Sequence, residues 1–171
     1  GLCNLSEVVV RSTDAFGDLK SKVEIATIIG TFQSTLTDFR YVRPIWKRNA
    51  EEERLLGVSF TGIMDHPLLS GAETEDTNVL SAILKELRDH AIETNKEWSG
   101  KLGINPSVAI TTVKPSGTVS QLVDSASGIH PRHSQFYLRT VRADKKDPLA
   151  VFMRKVGFPV EDDLRKPEHT D

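Results

Sequence analysis

Two long stretches of helical periodicity, set among short apolar runs of strand length, limit the folds open to this chain more than any other feature. From Leu19 to Phe39, Leu19, Val23, Ala26 and Ile29 form one apolar line, and Ile25, Ile28, Phe32, Leu36 and Phe39 form another. Spacings of three and four residues are the helical period, so an amphipathic helix is expected there. A second helix is expected from Asp76 or Thr77, either of which can cap it, to about Trp98–Gly100, with Val79, Leu80, Ile83, Leu84, Leu87 and Ala91 as its inward stripe. The intervening runs read as strands. Leu5–Val10 ends in three valines, Leu55–Met64 is apolar with two glycines, Val108–Val113 is β-branched, and Phe136–Arg142 alternates apolar with polar residues. Tyr41–Asn49 reads as a loop broken by Pro44, with a helical turn possible over Glu51–Leu56. Asp147-Pro148 reads as a cap and first turn of a last helix that Gly157 closes. Buried strands alternating with long helices imply an α/β fold on a parallel sheet, either a barrel or a doubly wound sheet.

Charge and cysteine content narrow the function. The 171 residues carry 22 basic and 24 acidic side chains, and the basic cluster Arg43, Lys47, Arg48 is answered by Glu51, Glu52 and Glu53. That balance excludes a nucleic-acid stripe or a membrane-surface face. No run reaches the roughly 20 apolar residues of a membrane helix, and no basic segment leads into an apolar run as in a secretory leader. The single cysteine, Cys3, cannot build an internal disulfide framework, so the expected compartment is reducing and cytoplasmic. The chain begins at Gly1 almost inside a strand and ends in a polar stretch, Arg165–Asp171. Residues 1–171 are therefore expected to be a single partial domain, truncated at both ends.

Three places carry possible chemistry. At Lys114–Leu122 a strand runs into Pro115-Ser116-Gly117, and Thr118, Val119 and Ser120 then open a helix. Free N–H groups at such a start, with hydroxyls and a glycine beside them, can cradle phosphate, and they can equally be an ordinary capped turn. Cys3 reads either as a small buried hydrophobe or as a redox thiol whose partner lies elsewhere. His130 and His133, within Ser127-Gly128-Ile129-His130-Pro131-Arg132-His133, have neither zinc-ligand spacing nor a nearby cysteine or acid, so no metal site is read there.

Taken together these segments resemble a known family. Leu2-Cys3-Asn4-Leu5-Ser6-Glu7-Val8 resembles the segment that carries one redox cysteine in ribonucleotide reductases. Leu55–Asp65 is similar to the glycine-bearing barrel strand of the monomeric, adenosylcobalamin-dependent (class II) branch. Lys114–Ser120 resembles that family's substrate-phosphate loop, and Ser127–Ser134 follows in the family's order. The resemblance continues through Asp147-Pro148. Gly117 and the Val58–Gly62 strand favour the cobalamin branch over the di-iron one.

The resemblance implies a segment of a ten-stranded α/β barrel that reduces ribonucleoside triphosphates to deoxyribonucleotides. In such enzymes homolysis of the cobalt–carbon bond of adenosylcobalamin leads to a thiyl radical, which abstracts the ribose 3′-hydrogen. A cysteine pair then supplies two electrons and becomes a disulfide, later reduced by thioredoxin or a similar dithiol. Cys3 matches one member of that pair. Pro115, Ser116, Gly117, Thr118, Val119 and Ser120 match the loop that holds the substrate phosphates. The family's Cys-x-Glu motif with the radical-bearing cysteine is not in this chain, nor is a second redox cysteine. The segment is therefore expected to depend on the remainder of a reductase chain and to be inactive by itself. Two other readings stay open, a non-catalytic phosphate-binding module and a scaffold segment that completes a barrel.

Overall fold

The structure is a computed structural model that describes residues 1–73, 76–166, 168 and 169. The last residues of the polar carboxy-terminal stretch, Thr170 and Asp171, lie outside the described residues. The chain forms two compact units, Gly1–Arg132 and His133–Asp171.

The first unit is built on two parallel strands. Strand β1 (Asn4–Val9) pairs with β2 (Leu56–Thr61) from Asn4 opposite Leu56 to Val9 opposite Thr61. Two helices connect them, α1 (Phe16–Gln33) and α2 (Pro44–Glu53), and the long α3 (Thr77–Leu102) follows β2. Because side chains alternate along a strand, Val8 and Val10 of the first strand segment join Leu56 and Val58 on one face. Leu19, Val23 and Ala26 of α1 and Leu87 and Ala91 of α3 cover that face and make the core with Leu69 and Ile110. The opposite face presents Leu5 and Glu7 from β1 with Gly57, Ser59 and Thr61 from β2.

Both long helices form where periodicity places them, with different ends. Helix α1 stops at Gln33, and the line expected to extend it is exposed, Leu36 at 73% and Ile25 at 58%. Thr27 and Thr31 are fully buried in their place, each hydroxyl donating to a carbonyl one turn back at 2.7 Å. Helix α3 starts at the expected cap, Asp76, whose carboxylate accepts from Asn78 N–H, and ends in left-handed Gly103. Pro44 opens α2 at its first turn instead of breaking a loop, because a proline there sacrifices no helical hydrogen bond.

Two expected strands are corrected. Val108–Val113 lies parallel beside β2, with Leu56 N–H donating to Ala109 at 2.9 Å and Thr112 N–H to Val58 at 3.0 Å. It makes a single bridge, Val58 to Thr111, and only Ile110 is buried, Val108 and Val113 standing about three-quarters exposed. The segment has a partner on one edge only, so its outer edge and outer side chains remain uncovered. Phe136–Arg142, in the second unit, forms no strand among the described residues. Leu138 and Phe136 are exposed there, and an alternating pattern without a neighbour to pair with yields no ladder. That unit does contain the expected helix α5 (Pro148–Lys155), after a five-residue helix α4 (Thr118–Leu122) in the first unit. Asp147 caps α5 by accepting from Leu149 N–H at 2.7 Å, and Gly157 follows with φ +81°.

Candidate active-site segment

Cys3 stands immediately before β1, exposed, on the strand face turned away from the helices. Its Sγ lies over Gly57 of the neighbouring strand. A Cβ on Gly57 would come within 2.8 Å of Cys3 Sγ and 2.5 Å of Leu5 Cδ2. The glycine thus makes the room in which the sulfur sits, a reason for glycine inside a strand where it otherwise weakens the ladder. Burial pushes the Cys3 thiol above its ordinary value.

The Pro115–Ser120 turn follows the bridged segment beside β2. Its residues divide into two groups. Ser116 and Ser120 face inward, at 3% and 0% exposed, while Pro115, Gly117, Thr118 and Val119 face outward. Ser116 Oγ donates to Glu7 Oε2 at 3.2 Å and accepts from Ser120 N–H at 3.2 Å. Ser120 Oγ donates back to the carbonyls of Ser116 and Gly117. These hydroxyls therefore build the turn and are occupied in doing so. The outward N–H groups of Gly117, Thr118 and Val119 have no acceptor among the described residues. Gly117 has φ −74°, and a Cβ on it would meet nothing within 4 Å. The glycine is therefore not required by a positive φ. The space above it is open.

Cys3 and the turn are not in contact. Glu7 connects them: it points to the same face as Cys3, roughly 13 Å further along β1 at the usual strand rise, and it touches Ser116. Nothing in the motif spacing marks Glu7 as a partner of a residue 109 positions later.

A second loop, 125–132, braces the turn from behind. Ser127 Oγ donates to the Ser116 carbonyl. Gly128, at φ +55°, packs so close that a Cβ would stand 3.1 Å from the Lys114 carbonyl oxygen. The end of β2 holds this loop in turn. Thr61 Oγ1 donates to the Ala126 carbonyl at 3.0 Å and accepts from Gly128 N–H at 3.1 Å, while Ala126 N–H donates to Asp65 Oδ2 at 2.7 Å. Arg132 spans two carboxylates, donating through Nε and Nη2 to Asp65 and through Nη1 to Asp124 at 2.8 Å. Burial by itself raises the Asp65 carboxyl, but the Arg132 and Ala126 hydrogen bonds and the nearby arginine charges outweigh it and hold the group below its ordinary value. Arg11 adds two hydrogen bonds to the carbonyls of Val123 and Asp124. His130 and His133 take no part in these contacts, and no group of three His, Cys, Asp or Glu side chains fit to hold a metal occurs among the described residues.

No family model matches the chain. It is similar to proteins named adenosylcobalamin-dependent ribonucleoside-triphosphate reductase. That of Lactobacillus helveticus (strain DPC 4571) is 31% identical over 183 residues, which cover 95% of this chain and 24% of that protein. That of Lactobacillus acidophilus (strain ATCC 700396 / NCK56 / N2 / NCFM) is 30% identical with the same coverage, and that of Lactobacillus leichmannii 26%. Among solved structures, a B12-dependent (class II) ribonucleotide reductase superposes with a TM-score of 0.67 at 24% identity, over 98% of this chain and 26% of that one. The likeness of backbone makes the parallel α/β arrangement that of a segment within the larger fold. The chain is a homologue of the adenosylcobalamin-dependent ribonucleoside-triphosphate reductases over a segment that makes up about a quarter of their length.

Proposed function

We propose that this chain is the part of a cobalamin-dependent ribonucleotide reductase barrel that supplies one reducing thiol and the substrate-phosphate loop. The observation that carries the reading is the near end-to-end match to proteins of that name, with the cysteine, glycine-strand and Pro-Ser-Gly motifs in the family's order.

The roles divide by residue. The outward N–H groups of Gly117, Thr118 and Val119 and the Thr118 hydroxyl receive phosphate oxygens, while Pro115, Ser116 and Ser120 shape the turn that presents them. Cys3 is one of two thiols that give up two electrons and two protons as they become a disulfide. The ribose 2′ carbon is reduced and its hydroxyl leaves as water. The second thiol must come from elsewhere, for the sequence holds one cysteine.

Adenosylcobalamin, when bound to such an enzyme, supplies the homolysis that starts the radical chemistry. The main clefts among the described residues do not by themselves fit a corrinoid. They are open grooves of about 360–510 Å³ lined by helix and strand side chains, such as the one between Val58, Phe60, Leu84 and Thr112. The segment alone is expected to be inactive. The uncovered outer edge of Val108–Val113 supports a place within a larger sheet, the ten-stranded barrel.

The test is Cys3→Ser in the full-length protein that carries this segment. Multiple turnover with dithiol or thioredoxin reductant should be lost while adenosylcobalamin homolysis persists. Near-normal turnover would leave Cys3 a packing residue and the proposal without its thiol.

A further inference from the structure

The Ser127–Arg132 motif has no part in binding or electron supply in this reading, yet a dense set of contacts ends on it. We propose that Asp65 and Arg132 are positioning residues that hold the Pro115–Ser120 turn in its phosphate-binding shape, an inference that rests on the reading of that turn given above.

The turn has few ties of its own to the rest of the fold. Helix α4 is five residues long, and among the described residues the one side-chain hydrogen bond from the turn before it to β1 is Ser116 to Glu7. Beyond its own Ser116–Ser120 hydrogen bonds and the Arg11 contacts at the exit of α4, the turn is held by loop 125–132, through the Ser127 hydroxyl on the Ser116 carbonyl and the Gly128 backbone against Lys114 and Ser116. That loop is itself fixed at the end of β2 by four groups, Thr61 Oγ1, the Gly62 N–H, the Asp65 carboxylate and the Arg132 guanidinium. Asp65 is central. One oxygen accepts from Ala126 N–H, and the carboxylate takes two further donors from Arg132. Arg132 in turn ties Asp124, at the exit of α4, to the same point through both its carboxylate and its carbonyl. The latch therefore closes the 124–132 loop upon itself and onto the end of β2, and that loop packs against the turn through Ser127 and Gly128.

Charge decides against a more direct role. Arg132 uses Nε, Nη1 and Nη2 on protein oxygens, so its guanidinium is committed. With Arg11 beside it, the cluster holds two cations and two carboxylates and is close to neutral. It adds little field at the turn as it stands. Removing one member would unbalance it, with a sign that depends on which member is lost.

That sign gives the test. In the full-length protein, Asp65→Asn leaves excess positive charge and Arg132→Gln excess negative charge. An electrostatic role would make the first bind CTP more tightly and the second more weakly. A positioning role weakens both, by about ten-fold or more if a charge-assisted hydrogen bond is lost. It also leaves the double variant no weaker than the worse single one, since both break one latch. Calorimetric titration with CTP reads this directly, and Arg132→Lys, which keeps the charge and loses the fork, should not rescue. Hydrogen–deuterium exchange on the 171-residue chain separates this inference from the reading beneath it. The hydrogen-bonded amides of the turn and of α4, those of Ser120, Val123 and Ser125, should exchange about ten-fold faster in both variants while the β1–β2 amides stay protected, as expected when a local brace is lost without global unfolding. Wild-type protein that binds no CTP would overturn the phosphate reading, yet faster exchange in that segment would still uphold the latch. Unchanged exchange there, or CTP affinities that move in opposite directions, would overturn the latch.

Discussion

Gly117 is the residue at which binding and stability separate most cleanly. A side chain there meets no protein atom within 4 Å and φ is negative, so Gly117→Val should change unfolding free energy by no more than about 0.5 kcal/mol. In the full-length protein the same change should weaken ribonucleoside-triphosphate binding strongly, because the β-branched group fills the space the phosphate would enter. Titration calorimetry showing wild-type affinity would make the loop an ordinary capped turn; a charge swap at distant Lys145 is the control. Gly57 behaves in the opposite way. Its Cβ would collide with Leu5, Cys3 and Thr112, so Gly57→Ala should destabilise the chain by about 1–3 kcal/mol, read by denaturant unfolding, as overpacking does. Residue identities at these motifs were legible in the sequence, including the turn into a helix at Thr118. Their division of labour was not. That Ser116 and Ser120 turn inward depends on Glu7 and on a loop folded back from beyond α4, and no local pattern encodes either contact.

At the scale of elements, periodicity located α1 and α3 because their apolar stripes are long enough to repeat several times, while α5 was marked by its Asp147-Pro148 start and Gly157 end. It overextended α1, since Ile25, Leu36 and Phe39 read as a second core stripe while the folded segment leaves Ile25 and Leu36 exposed. Strand content alone could not show that Val108–Val113 pairs on one edge and Phe136–Arg142 on none, because β-propensity describes a half-buried surface and not its neighbours. The connection between β2 and the 125–132 loop makes a pH prediction. Asp65 and Asp14 both titrate below their ordinary values when folded. Each is raised by burial and more than offset, Asp65 as described above and Asp14 by Lys22 and the Arg11 N–H. The stability they contribute is fully present above the ordinary carboxylate pKa of about 3.9 and is lost as pH falls through the lower folded values. Thermal melts between pH 5 and pH 2 should therefore show a steep acid limb that Asp65→Asn makes shallower. An identical acid limb in the variant would mean that the Arg132 contact adds no pH-dependent stability.

For the molecule as a whole, the proposed function calls for a segment whose chemistry is completed by other parts of a larger protein. One cysteine cannot form the disulfide that two-electron reduction requires, the strand edge at Val108–Val113 is uncovered, and the matched proteins are about four times as long. The family resemblance was legible in the order of four short motifs, and the comparisons agree with it. The Asp65–Arg132 contact behind the Pro115–Ser120 turn was not, since the two residues are 67 positions apart. The most direct measurement expresses this segment with its flanking sequence and follows conversion of a ribonucleoside triphosphate to its 2′-deoxy product, with dithiol reductant, in the presence and absence of adenosylcobalamin. The account predicts product only when adenosylcobalamin is supplied. Product formed equally without it, or none formed by a folded full-length protein with every component present, would contradict it.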